Sequence, residues 1–349
     1  MNSRTARLPV AATVLIALVA AAWQWLSSPP ALDESPLADC LGSRLPMTVA
    51  RQMPYVAVRV NGSPARFVID FGADVSAITP TGFAASPPLP APGTVDRYRQ
   101  FEFFGSWQNV RLLPQPIAPV AGELRQGGVI GTDFLSHHVY ALDYVGGRVY
   151  RAAAGAFCGD DVLDEAGFVA IDSRGYYAAD TRGLTCPAAA RRGNCPNIPT
   201  VPLRIGAVDA VAQVDTGFDD STVRHSVNIN GALFDALTAA GIRLLPRPDV
   251  ALTLTTCQAG VVEQVEAWRL PDGVALEFVA ASGAVAQRFS DATLFVKRPP
   301  PAAQGCGGIG TWPLPAAQLG ASFFADSALI VDPFRARVWV RPPTSPALD

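Results

Sequence analysis

Two stretches of this chain read as copies of one another, and that duplication limits the folds available to it. The first is "YVAVRVNGSPARFVIDFGADVSAI", Tyr55 to Ile78; the second is "TVPLRIGAVDAVAQVDTGFDDSTV", Thr200 to Val223. Each opens with alternating apolar residues (Val56, Val58, Val60; Val201, Leu203, Ile205), turns at a glycine (Gly62; Gly206), and runs through a second apolar stretch into Asp-x-Gly. Period-two alternation around a short glycine-containing turn is a β-hairpin pattern. The match resumes downstream, where "VIGTDFLSHHVYALDYVGGRVY" (129–150) parallels "LGASFFADSALIVDPFRARVWV" (319–340). Gly131 aligns with Gly320, Phe134 with Phe323, Asp143 with Asp332 and Val149 with Val338. A chain that writes one β-rich unit twice is expected to be all-β, with two related lobes.

The spacing inside the copies differs. Gly131 lies 61 positions after Asp70, whereas Gly320 lies 105 after Asp215, so the second copy carries an insertion at about 225–315. Within it, Gly231–Ala240 is rich in Ala and Leu and stops at Gly241, a helix signature. The expected organisation is a signal peptide or membrane anchor at 1–30, a linker at 31–49, a first lobe at 50–150, an inter-lobe segment at 151–197 and a second lobe at 198–342.

Asp70 and Asp215 are the residues both copies keep at the end of the second strand, each with a glycine two places on (Gly72, Gly217). Two carboxylates held together cannot both ionise, so they hold one proton between them and can act as base and acid at once. Glycine beside each Asp allows a sharp turn and the approach of the opposite half. Asp143 and Asp332 also match each other, but stand before hairpin turns and read as turn-forming residues.

Asp70-Phe71-Gly72-Ala73 and Asp215-Thr216-Gly217, with Ile130-Gly131 and Leu319-Gly320 downstream, resemble the retropepsin/pepsin-type aspartic proteases. The nearest likeness is to bacterial retropepsin-like domains, duplicated into a pepsin-like bilobed chain over roughly 50–150 and 198–342. The resemblance implies two pseudo-twofold-related β-barrel lobes with short helices. It implies an aspartic endopeptidase that needs no cofactor or metal, with catalytic Asp70 and Asp215 and supporting turn residues Gly72, Thr216 and Gly217. It also implies a β-hairpin flap between the two motifs of the first lobe, for which "YRQFEFFGSW" (Tyr98, Phe101, Gly105) is the candidate. Three positions depart from the family. Phe71 stands where a Thr or Ser hydroxyl braces the pair across the lobes, Phe218 where a small residue is usual, and Gln318 where the second apolar-apolar-Gly motif needs an apolar residue. The expectation is a slow enzyme; the alternative is a catalytically impaired, bilobed peptide-binding protein of the cell envelope.

Arg4 and Arg7 precede the apolar run Leu8–Leu26, which suits either a cleaved signal peptide or a single uncleaved membrane anchor. Either reading exports the rest of the chain to an extracytoplasmic space, such as the periplasm. In that setting six cysteines suggest disulfides: Cys186 with Cys195, Cys40 with Cys158, and Cys257 with Cys306. The 27 Lys and Arg residues against 30 Asp and Glu form no basic stripe, so no nucleic-acid partner is expected. His137, His138 and His225 lack ligand spacing and read as loop residues, and no metal site is expected. The expected partner is a peptide or protein substrate, with the chain a monomer.

Overall fold

The structure is a computed structural model that describes residues 31–32, 36–84, 86–115, 124–173, 198–218, 222–256, 258–306 and 308–342. It is mostly β-sheet. The described strands fall into a 13-stranded and a 10-stranded sheet, neither of which closes into a barrel. This corrects the expectation of barrels, and the reason is visible at Ser43–Ala50. That strand pairs with Arg148–Ala152 through its first half and with Met53–Val60 through its second, so the first sheet runs on where a barrel would seam.

Both copied hairpins form. Met53–Val60 pairs with Ser63–Ile69, and Thr200–Ile205 with Val208–Val214. Asn61 and Gly62 both take positive φ, 48° and 83°, the backbone that a tight two-residue hairpin turn requires. In each copy the second strand then gains a parallel neighbour that ends at the downstream glycine: Ile69 lies opposite Ile130, and Val214 opposite Leu319. A third strand lies antiparallel on that neighbour, Ala77–Ile78 in one half and His225–Asn230 in the other. The second copy's insertion therefore begins after 230, because 225–230 belongs to the shared framework. Its helix spans Gly231–Ala239, capped by the Asn230 side chain accepting from Leu233 N–H at 2.9 Å.

The halves meet in a six-strand layer ordered Val169–Asp172, Arg337–Val340, Ala328–Asp332, Val139–Asp143, Arg148–Ala152, Ser43–Ala50. At its centre Ala141 pairs with Ile330. Each lies two places before the matched Asp of its own copy, so the pair is self-equivalent, and the flanking pairs Leu142–Leu329 and Tyr140–Val331 straddle it. Side chains alternate across this layer. Tyr140, Leu142, Val149, Leu329, Val331 and Val338 join the main core, whereas Val139, Ala141, Tyr150, Ile330 and Trp339 face outward.

The outward face is covered by Leu32, Leu37 and Leu41 together with Leu163 and Phe168. Residues 31–49 are thus not a free linker: they hold a 3-10 turn, Pro36–Asp39, and the strand Ser43–Ala50. Asp143 accepts from Leu32 N–H (2.8 Å) and Gly146 N–H (2.9 Å), and Asp332 from Phe334 N–H (2.9 Å) and Arg335 N–H (3.1 Å). Both are turn residues, as expected from the sequence.

Cys40 and Cys158 are joined, with Cα atoms 4.9 Å apart, which suits an extracytoplasmic protein. Cys306 is also disulfide-bonded; Cys186, Cys195 and Cys257 lie outside the described residues. The Cys40–Cys158 bond ties the segment before the first strand to the segment after the first copy, across 118 residues. Replacing both with Ser is expected to cost about 2–4 kcal/mol, measured as a shift in the urea unfolding midpoint. An unchanged midpoint would mean that the bond constrains nothing. Among the described residues no helix is long and apolar enough to cross a membrane. The segment 1–30, on which the signal or anchor expectation rests, lies outside them.

Candidate active site

The two Asp-x-Gly turns face one another. Asp70 N–H donates to Ile130 O at 3.0 Å, and Asp215 N–H to Leu319 O at 3.0 Å, so each Asp is fixed at the tip of its strand by the same bond. The next contact is also duplicated: Thr132 N–H donates to Ala73 O (2.8 Å), and Ala321 N–H to Phe218 O (2.7 Å). Each carboxylate accepts from the glycine two places on, Gly72 N–H at 2.7 Å and Gly217 N–H at 3.0 Å. A Cβ added at Gly72 would fall inside the Asp215 carboxyl, and one at Gly217 inside the Asp70 carboxyl. The glycines are there because each backbone lies against the opposite acid.

Asp70 and Asp215 share a side-chain hydrogen bond. Asp70 is half-buried and Asp215 is 6% exposed. Burial pushes the Asp70 carboxyl above the ordinary Asp range, opposed by hydrogen bonds from Asp215 and from the Gly72, Gly217 and Ala73 backbone. Asp215 is pushed well above it, first by burial and then by the negative charge of Asp70 beside it. Both carboxyls are thus held above the ordinary Asp range, Asp215 the further, so the pair keeps a proton that a lone exposed Asp would have released.

Thr216 is fully buried between the halves. Its hydroxyl donates to Ile69 O at 2.7 Å and accepts from Phe71 N–H at 3.1 Å, so one side chain satisfies two backbone groups of the other turn. Phe71 returns no such bond. Its ring is fully buried in the main core. Phe71→Thr is expected to cost about 2–4 kcal/mol of stability through lost burial, seen as a lower thermal midpoint, and to raise turnover by adding the missing hydroxyl brace. Unchanged or abolished turnover would make Phe71 an integral part of the site.

The aromatic hairpin lies elsewhere. Arg97–Glu102 and Ser106–Arg111 form it, and Phe101 pairs with Val60. Tyr98 and Phe101 are buried, with Phe101 against Phe67 and Phe134. Beside Gly105, Phe103 stacks on Tyr140 of the shared layer at 6.0 Å, and Arg151 sits over the Phe104 ring. The second half has the same element: Leu276–Val279 and Val285–Phe289 pair with each other, and Leu276 lies opposite Ile205. A hairpin present in both copies and packed inward is core. Tyr98 and Phe101 thus pack into the core, whereas Gly105 is exposed at the turn.

Two residues the sequence underweighted enter the site. Gln318 Nε2 donates to Asp215 Oδ2, and Asn228 Nδ2 donates to Gln318 Oε1 at 2.8 Å. His225, read as a loop residue, starts a strand; it is buried against Phe289 and Phe323 and contacts Asp291 through Nδ1 at 2.6 Å. His137 and His138 do lie between elements. Among the described residues no cluster could hold a metal ion. No protein-family model matches this chain, and no curated protein is similar to it in sequence.

Proposed function

We propose that this chain is an aspartic-type endopeptidase, bilobed in the manner of pepsin, that hydrolyses peptide bonds with Asp70, Asp215 and a water held between them. The observation that carries the reading is the mutual fit of the two turns, in which each glycine lies against the other copy's carboxyl and the two acids share a hydrogen bond. Bringing two carboxyls together away from solvent is costly. A fold that needed only turn residues has them already at Asp143 and Asp332. The self-equivalent pairing of Ala141 with Ile330 supports two lobes related by a twofold.

Asp70 takes a proton from water as the oxygen attacks the carbonyl carbon, and Asp215 gives its proton to the carbonyl oxygen. The proton gained by Asp70 then goes to the leaving nitrogen as the tetrahedral intermediate collapses, and Asp215 takes a proton back from the diol hydroxyl that becomes the product's carbonyl oxygen. This cycle restores the single shared proton. The covered outer face of the six-strand layer leaves residues 36–41 packed away from the acids, so this segment is not a cover over them.

Binding of a statine-type peptide tests the reading, because its tetrahedral hydroxyl mimics the attacked carbonyl. Calorimetry is expected to show one site per chain, tighter at pH 4 than at pH 8. Binding that is indifferent to pH, or that survives Asp70→Asn undiminished, would exclude the acid pair as its site.

A further inference from the structure

The two halves treat their acids differently. Gln318 precedes Leu319 in the second half, at the place Val129 holds before Ile130 in the first. Asn228 pairs with Gln318 across the sheet as Ala77 pairs with Val129. One half is apolar at both positions; the other builds a chain of two carboxamides that ends on Asp215. The direction of that chain follows from chemistry. The Gln318 NH2 donates to Asp215 Oδ2, an oxygen that carries no proton, so the Gln318 oxygen is left to accept and Asn228 donates to it. Asn228 is 7% exposed, and its backbone is held in the strand His225–Asn230, which leaves Gln318 little freedom to turn away.

We propose that Gln318, oriented by Asn228, is a positioning residue that holds the Asp215 carboxyl from its own half and makes the two acids chemically unequal. The described turn residues give the two carboxyls no side-chain donor: Thr216 donates to Ile69 O, and Ala73 and Phe218 follow the two glycines. Gln318 fills that place for Asp215 alone. Asp70 is left with backbone donors and with Asp215 itself. A fixed donor on Asp215 limits its rotation toward Asp70, and it favours the ionised form, opposing the burial that favours the protonated one. Among the described residues, other titratable groups around the pair are few. Tyr55 is bonded to Gln126 at 3.0 Å and lies within reach of Asp70 and Arg51; Asp74 is exposed; Asp133 is bonded to Ser76.

The inference rests on the pair acting as a coupled acid–base unit, and the experiment reads that separately from peptide cleavage. The full chain carrying carboxyl-labelled Asp is titrated by carbon-13 NMR as wild type, Gln318→Leu and Asn228→Ala. The two resonances are assigned through Asp70→Asn and Asp215→Asn. Leu keeps about the size of Gln while giving the site the apolar character of Val129 in the other half, and Asn228→Ala leaves Gln318 itself intact in case the first variant does not fold. The upper of the pair's two titrations is expected to move to higher pH in Gln318→Leu, and in the same direction but less in Asn228→Ala. Cleavage at the optimum is expected to fall about tenfold in kcat with KM unchanged. Coupled titrations that stay in place in both variants would overturn the role of Gln318 and leave the acid pair standing. Two independent, uncoupled titrations in the wild type would overturn both.

Discussion

Asp215→Asn is expected to abolish cleavage, by about 10³-fold or more, while reducing the loss of stability that the wild type suffers as pH rises. The sign follows from the burial of the acid. Asp215 in the folded chain holds its proton well above its ordinary value of 3.8, chiefly through burial and then through the charge of Asp70. An unfolded chain has already released that proton just above 3.8, so folding takes one up in this window. Stability therefore falls as pH climbs from the ordinary Asp value toward the raised one. Asn has no proton to release and removes this contribution. Thermal midpoints of the two proteins, taken from pH 3.5 to pH 7.5, are expected to diverge in favour of the variant as pH rises. A constant offset between the two curves would mean that Asp215 is not raised, and a widening deficit in the variant would mean that its charge supports the fold. Improved stability bought with lost activity is what an acid kept for chemistry should show.

Gly217→Ala should be nearly as damaging by a different route. The new Cβ would overlap the Asp70 carboxyl, and neither group can retreat, because Asp70 is fixed to Ile130 and Gly217 donates to Asp215. Displacing one acid by a fraction of an ångström forfeits transition-state fit, so a loss of at least about 100-fold in kcat/KM is expected, with about 1–3 kcal/mol of destabilisation from overpacking. Gly155→Ala is the control, since a Cβ there meets nothing within 4 Å and that glycine has no positive φ. If Gly217→Ala retained near wild-type turnover, the two turns would not be in contact in solution.

Much of the framework could be read from the residues. Alternating Val56, Val58 and Val60, and Val201, Leu203 and Ile205, mark strands because one face is buried, and the glycines after them mark the turns. Asp70 and Asp215 stood out because the copies had otherwise diverged around them. The strand Ser43–Ala50 was missed because Pro46 interrupts its pattern and most of its residues are at least partly exposed. The alternation in Tyr98–Trp107 marks a hairpin, but an amphipathic aromatic hairpin reads the same whether it stands over a cleft or packs on a sheet, so the burial of Tyr98 and Phe101 was not legible. Gln318 read as a flaw in an apolar motif. The signal that could have found it was there: polar Gln318 stands in the otherwise apolar segment Ala316–Leu319, and buried polar side chains need partners. The partner was the carboxylate at the end of the neighbouring strand, which pairing and register fix but periodicity does not.

The most direct measurement is cleavage of a peptide library by the full chain at pH 4 in the presence of a chelator, read by mass spectrometry, with Asp70→Asn purified and assayed in parallel. The account predicts internal cuts by the wild type, unaffected by the chelator, and none by Asp70→Asn. Cuts that persist in Asp70→Asn, or a folded wild type that binds statine peptide yet cuts nothing, would contradict it.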